Sequence, residues 1–163
     1  MNKYKKVMLI YGGISSEREI SIISSKGIND SLIRNNYEVI RIDADKDLES
    51  KIKKHKPDVI FNALHGTWGE DGKVQKIIEL TNVPYTNSGI RASELAMDKH
   101  KSSEVFTKIN LNYPNTVLSS LKSIKNEDLM DYPYVLKPRN EGSSVGVGII
   151  KNENDKKIYD DQN

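Results

Sequence analysis

The chain has 163 residues, 36% of them hydrophobic and 29% charged, enough for one full domain or one and a half small ones with a highly polar surface. Its 25 basic and 23 acidic residues leave a net charge of +2 without an arginine-rich block, which gives no support for a nucleic-acid or membrane partner. Cysteine is absent, which excludes disulfides and thiolate metal sites, and no apolar run approaches a membrane span, so a soluble cytoplasmic protein is expected.

Lys3, Lys5 and Lys6 ahead of Val7–Tyr11 have the flavour of a signal peptide, but the apolar part is short and runs into Gly12-Gly13. It reads instead as a first strand buried on both faces. A helix follows to about Asn35, with Ser15 or Ser16 as N-cap, Glu17 and Glu19 in its first turn, Ile20, Ile23, Gly27 and Ser31 near one packing face, and Ile28 and Leu32 beside it. Tyr37–Ile42 is a second strand, residues 46–54 a short charged helix, and Val59–Phe61 a third strand. The loop 65–72 comes next, then a helix with Val74, Ile77, Ile78 and Thr81 at helical spacing, a short edge strand at Val83–Tyr85, and helical signal from Ala92 to Lys108. This alternation predicts a parallel, doubly wound sheet of about four strands, with ligands beyond the carboxyl ends of the strands, where Gly12-Gly13 and the 65–72 loop fall.

After Asn110 the pattern changes. Asn115–Leu118 and Tyr134–Lys137 read as strands with a helix between them at Ser123–Met130, and Lys151–Asn163 is expected to fray because Ile158 and Tyr159 are its large apolar residues. The organisation expected is a three-layer α/β domain over 1–97 and an incomplete α+β unit over 98–163.

The stretch 136–148 carries the strongest chemical signal. Lys137, Glu141, Ser143, Ser144 and the glycines Gly142, Gly146 and Gly148 lie between two apolar runs. Glycines let backbone N–H groups approach an anion, hydroxyls add donors, and lysine adds charge. A flap closing over nucleotide phosphates and an ordinary Gly/Ser hairpin both fit. Two standard phosphate motifs do not: Gly72-Lys73 has Thr67 where a P-loop needs its first glycine and Val74 where it needs a hydroxyl, and no G-x-G-x-x-G follows the first strand. Glu17 fits either an ammonium-binding carboxylate or a helix-start acid. His65 and Glu70 match no zinc spacing. Lys99 alone is an ordinary helical lysine.

Together the motifs are more specific. Gly-Gly-Ile-Ser-Ser-Glu-Arg-Glu-Ile-Ser at 12–21, Ala-Leu-His-Gly-Thr-Trp-Gly-Glu-Asp-Gly at 63–72, Pro-Tyr-Thr-Asn-Ser-Gly at 84–89, Met-Asp-Lys at 97–99 and Lys-Pro-Arg-Asn-Glu-Gly-Ser-Ser-Val-Gly at 137–146 occur in this order. The set closely resembles the N-terminal half of the D-alanine–D-alanine ligases, ATP-grasp enzymes of peptidoglycan precursor synthesis. The resemblance implies that Glu17 contacts the first D-alanine's ammonium, with a catalytic role shared by Ser143, and that His65 lines the same subsite. It implies that Lys99 and Lys137 bind ATP phosphates, with Gly142, Ser143, Ser144, Val145 and Gly146 forming the covering flap. It implies ATP and magnesium as cofactors, D-alanine as substrate and a homodimer. The family's magnesium ligands are expected beyond residue 163, so the resemblance puts no metal ligand in this chain. The expectation is an N-terminal fragment without ligase turnover by itself. Another ATP-grasp carboxylate–amine ligase, or a non-catalytic remnant, are the alternatives; Glu17, His65 and Trp68 argue against the former.

Overall fold

A computed structural model describes residues 4–127 and 129–159. The chain divides into two compact units, one ending at Met97 and one starting at Asp98.

The first unit is built on β1 (Lys6–Gly12), β2 (Glu38–Ala44) and β3 (Val59–Asn62), all parallel, in the order β2-β1-β3. Central β1 is the most apolar: Met8, Leu9 and Ile10 are fully buried, each adding roughly 1.5–3 kcal/mol from burial. The order has a consequence. Helix α1 (Arg18–Arg34) carries the chain from β1 outward to β2, and α2 (Leu48–His55) carries it back across β1 to β3. Two right-handed crossovers running in opposite directions put their helices on opposite faces. The side chains agree. Met8, Ile10 and Ile60 pack with Leu48 and Ile52 of α2 and with Val74 and Ile78 of α3 (Lys73–Glu79). Helix α1 packs on β1 and β2 through buried Ser21 and Ser25.

Several expectations for this unit are corrected. The face of α1 turned inward is Ser21, Ser25, Ile28 and Leu32; Ile20 and Ile23 are exposed, and Gly27 has no neighbour within 4 Å of an added Cβ. Small side chains do let the helix approach the sheet, but they are serines one helical position away from the predicted stripe. Neither Ser15 nor Ser16 is the N-cap: the helix starts after Glu17, which makes no side-chain cap hydrogen bond. The fourth strand at 83–85 reduces to a single parallel bridge, Ile60 to Tyr85, with Ile60 N donating to Pro84 O at 2.9 Å and Thr86 N to Ile60 O at 3.0 Å. Pro84 has no N–H with which to extend the ladder.

The helical signal from 92 to 108 is two helices, α4 (Ile90–Met97) and α5 (Lys99–Lys108). Asp98 breaks it. Its backbone is extended (φ −88°, ψ 101°) and its carboxylate accepts from His100 N and Lys101 N, the geometry of a strong N-cap.

The second unit continues with α6 (Leu121–Asn126) and an antiparallel ribbon of β4 (Tyr134–Leu136) and β5 (Gly148–Ile150). Asn115–Leu118 forms no strand. Nor does the end of the chain fray at 153–159, which forms a 3-10 helix. Lys156 is 5% exposed, donates from Nζ to Glu127 O at 3.0 Å and stands 5.5 Å over the Tyr132 ring. A lysine stem with a carbonyl and an aromatic face as partners replaces the apolar anchor that the composition lacks. Residues 160–163 of the predicted fraying segment, and Asp128 of the predicted helix, lie outside the described residues.

Candidate functional site

In the first unit the connection reverses direction between β1 and β3, and an open parallel sheet binds ligands at the crevice beyond such a switch point. The segments leaving those two strands are Gly12-Gly13 and the 63–72 loop. Both are stitched to the start of α1. Ser21 Oγ, fully buried, accepts from Gly12 N at 2.8 Å and donates to Ala63 O at 2.7 Å. Ser15 Oγ accepts from Glu17 N at 3.1 Å and donates to His65 O at 2.7 Å. Three hydroxyls do this work, since Ser24 Oγ meets His65 Nε2 at 3.1 Å. Ser24 also donates to Ser21 O at 3.2 Å, so the pair is satisfied when Nε2 carries the hydrogen.

These bonds bring Glu17 against the loop that carries His65. Glu17 is 7% exposed, and its carboxylate lies against Gly66: a Cβ built there would stand 2.8 Å from Glu17 Oε1. Gly66 has φ +71°, so the position demands glycine twice over, for its backbone and for the carboxylate beside it. The 65–72 loop is rigid by its own bonds. Glu70 Oε2 accepts from Gly66 N at 2.8 Å, and the Gly69 carbonyl accepts from both Asn62 Nδ2 and Gln75 Nε2 at 3.0 Å. Glu70 therefore braces the loop. Trp68, itself left-handed at φ 70°, packs on the core. On the other side Arg18 donates to Gly13 O at 3.0 Å and grips Asp43 at 2.8 and 2.5 Å; its hydrogen bonds hold that carboxyl below the usual carboxylate range.

The second unit holds the lysines. Lys99 N donates to Arg139 O at 3.1 Å, and Lys99 Nζ donates to Pro138 O at 2.9 Å and to Glu141 O. Burial lowers the Lys99 pKa, and the nearby Lys137 charge lowers it further. Asp98 and Arg139 form a two-point ion pair, Nε to Oδ1 at 2.9 Å and Nη2 to Oδ2 at 2.7 Å. Ser143 and Ser144 sit exposed in consecutive left-handed conformations (φ 46° and 61°), followed by Gly146 at φ 67°. Val145 N closes onto Gly142 O at 2.9 Å. Gly146 makes room for protein: an added Cβ would stand 2.7 Å from Pro138 Cγ. Ser15, Ser21, Ser24, Asp98 and Arg139 are the residues that sequence reasoning missed.

Comparison with known proteins agrees with this architecture. Residues 45–88 match the family model described as D-ala D-ala ligase N-terminus. A D-alanine–D-alanine ligase of Parvibaculum lavamentivorans is 48% identical over 151 residues, covering 93% of this chain and 49% of that protein. By sequence and by fold, the chain is similar to the D-alanine–D-alanine ligases. The crystal structure of the Bacillus anthracis ligase superposes with a TM-score of 0.80 at 31% identity, over 97% of this chain and 53% of that one. The structure of the Bacillus anthracis ligase complexed with ATP gives 0.74 at 26% identity, over 96% and 54%. The chain spans about half the length of the curated relatives it matches, 49% in the first case.

Proposed function

We propose that the chain carries the first amino-acid subsite and part of the nucleotide-phosphate site of an ATP-dependent ligase that joins two D-alanine molecules for peptidoglycan precursor synthesis. The observation that carries this reading is the buried Glu17 carboxylate beside the His65 loop, at the switch point of the sheet, in a ligase relative.

In this reading Glu17 meets the ammonium of the first D-alanine and His65 lines the same subsite. A buried carboxylate suits that role because its charge is least screened there. Lys99 and Lys137 direct positive charge at the phosphates, and Gly142, Ser143, Ser144, Val145 and Gly146 cover them with backbone and hydroxyl donors. The γ-phosphoryl group passes to the D-alanine carboxylate, giving an acyl phosphate and ADP. The amine of the second D-alanine then attacks the carbonyl carbon, a peptide bond forms, and inorganic phosphate leaves. Positioning and charge stabilisation are what a protein supplies to such a transfer. Among the described residues no group of three His, Cys, Asp or Glu side chains is placed to hold a metal ion. The reading makes the intact enzyme cytoplasmic and homodimeric; no described helix is long and apolar enough to cross a membrane.

The test is phosphate release by the intact protein supplied with ATP, magnesium and D-alanine. Release that depends on D-alanine, with D-alanyl-D-alanine as product, is expected. Release indifferent to D-alanine, or equal with L-alanine, overturns the reading.

A further inference from the structure

We propose that Asp98 and Arg139 are positioning residues, whose ion pair clamps the 137–141 segment across the start of α5 and so fixes where Lys99 and Lys137 hold their charge. The functional half of this rests on the nucleotide-phosphate reading above.

The segment needs an anchor from outside its own ribbon. β4 and β5 have three residues each, and an isolated two-stranded ribbon is marginal in water. The anchor comes from two consecutive residues. Asp98 Oδ1 takes Arg139 Nε at 2.9 Å as well as His100 N and Lys101 N, both at 3.1 Å, while Oδ2 takes Arg139 Nη2 at 2.7 Å. A two-point contact fixes the plane of the guanidinium as well as its distance. Lys99 then binds the same segment through its amide, on Arg139 O, and through its ammonium, on Pro138 O and Glu141 O. Side chain, main chain and ammonium thus hold one short stretch from one side.

Two features need such a hold. Lys99 and Lys137 repel each other, so a loose segment would separate them. Ser143 and Ser144 hold left-handed conformations that persist in non-glycine residues only where the surroundings impose them. The returning loop stacks Gly146 on Pro138, the residue whose carbonyl Lys99 holds. The clamp therefore reaches from Asp98 through Pro138 to the Ser143–Gly146 turn. Asp98 touches no phosphate in this scheme; it acts through the lysines and the turn.

A role as a simple helix cap is separable from the clamp. Asp98→Asn keeps a good capping acceptor and removes the charge, whereas Arg139→Gln leaves the cap untouched and removes the fork. In the intact protein, amide hydrogen exchange at Val145 and Val147, bonded to Gly142 O and Ser144 O, reads the order of the turn without any need for activity. Each single variant is expected to quicken that exchange roughly tenfold, and the double variant to add little, because both remove the same interaction. Ile10 in β1 serves as the unchanged control. The KM for ATP should rise by a similar factor while the KM for D-alanine stays put. Unchanged exchange at Val145 and Val147 in both single variants overturns the clamp, and so do two effects that simply add. Faster exchange with an unchanged KM for ATP in an active enzyme overturns the positioning role. Faster exchange in the variants, together with a wild type that lacks D-alanine-dependent phosphate release, sinks the ligase reading and supports the clamp.

Discussion

In the first unit Glu17 and His65 are fixed by neutral hydroxyls working in a dry interior: Ser21 is fully buried, and Ser15 and Ser24 are half-covered beside it. In the second unit the 137–146 segment is fixed by charged groups near the surface, with the Arg139 side chain 43% exposed and Asp98 shielded chiefly by its own partners. Parallel strands explain the difference. Three paired strands with helices on both faces bury their ends deeply enough for unscreened neutral bonds to hold a geometry. A ribbon of two short strands offers no such interior, so the loop it carries is ordered by ion pairs and an ammonium. The scaffold around the first site should respond to loss of hydrogen-bonding atoms, that of the second to loss of charge, while the charge of Glu17 itself is reserved for the ligand.

The largest effect should come from the one buried charge of the first site. Glu17→Gln keeps the shape and removes the charge. Its KM for D-alanine should rise about 10- to 150-fold, matching a charge-assisted hydrogen bond of roughly 1.5–3 kcal/mol, while the KM for ATP stays unchanged. Steady-state titration of both substrates measures this. A rise in both constants together would mean that Glu17 holds the scaffold and leaves the ammonium to another group.

Ser21→Ala sharpens the same contrast on the stability side. The hydroxyl serves Gly12 N and Ala63 O at once in a site without water access, and its removal strands a donor and an acceptor. Chemical denaturation should show a loss of about 1–3 kcal/mol. A loss within error of zero would show that β1 and β3 hold their ends without it.

Lys137→Ala should do the reverse of both. The side chain is exposed, so folding stability should hold, while the KM for ATP rises roughly tenfold from the loss of one charged contact to phosphate. An unchanged KM for ATP would return Lys137 to an ordinary solvated lysine.

Sequence and structure agree most where one physical signal dominates. The runs Val7–Tyr11 and Val59–Phe61 are apolar without alternation, as suits strands covered on both faces, and they pair directly in the sheet. The Glu17 carboxylate lies against Gly66 because the segments leaving adjacent parallel strands run along one edge of the sheet. The errors lie where a short polar side chain overrides periodicity. Asp98 splits a helical pattern that runs smoothly from 92 to 108, because its carboxylate satisfies amides that a continuous helix would have used. Ser21 and Ser25 line the inner face of α1 where the eye follows Ile20 and Ile23. Lys156 anchors a tail whose composition reads as loose. Arg139 and Asp98 both lie within motifs of the chain, but they are 41 residues apart and nothing local marks their pairing.

The smallest effect, and the most direct check on the charged half of the comparison, is the titration of Asp98. Hydrogen bonds from Arg139 are the first cause holding its carboxyl down, to about 2, with the Lys101 amide and the Arg139 and Lys101 charges adding to them against a cost in desolvation. In the unfolded chain the group titrates near the ordinary aspartate value of about 3.9. The folded value is the lower of the two, so the ionised group stabilises the fold above about pH 4, and that contribution is lost as pH falls from there through about 2. Carboxyl carbon shifts followed by NMR should show Asp98 titrating at the bottom of this window in the wild type and moving up toward the ordinary value in Arg139→Gln. The bonds of Ser15, Ser21 and Ser24 have no proton to gain in that range, so the Gly12 amide should keep its protection while Val145 loses it, once the intrinsic pH dependence of exchange is removed. Asp98 titrating near 4 in the wild type would mean that the guanidinium does not hold it in solution, and the second unit would then need another source of order for its loop.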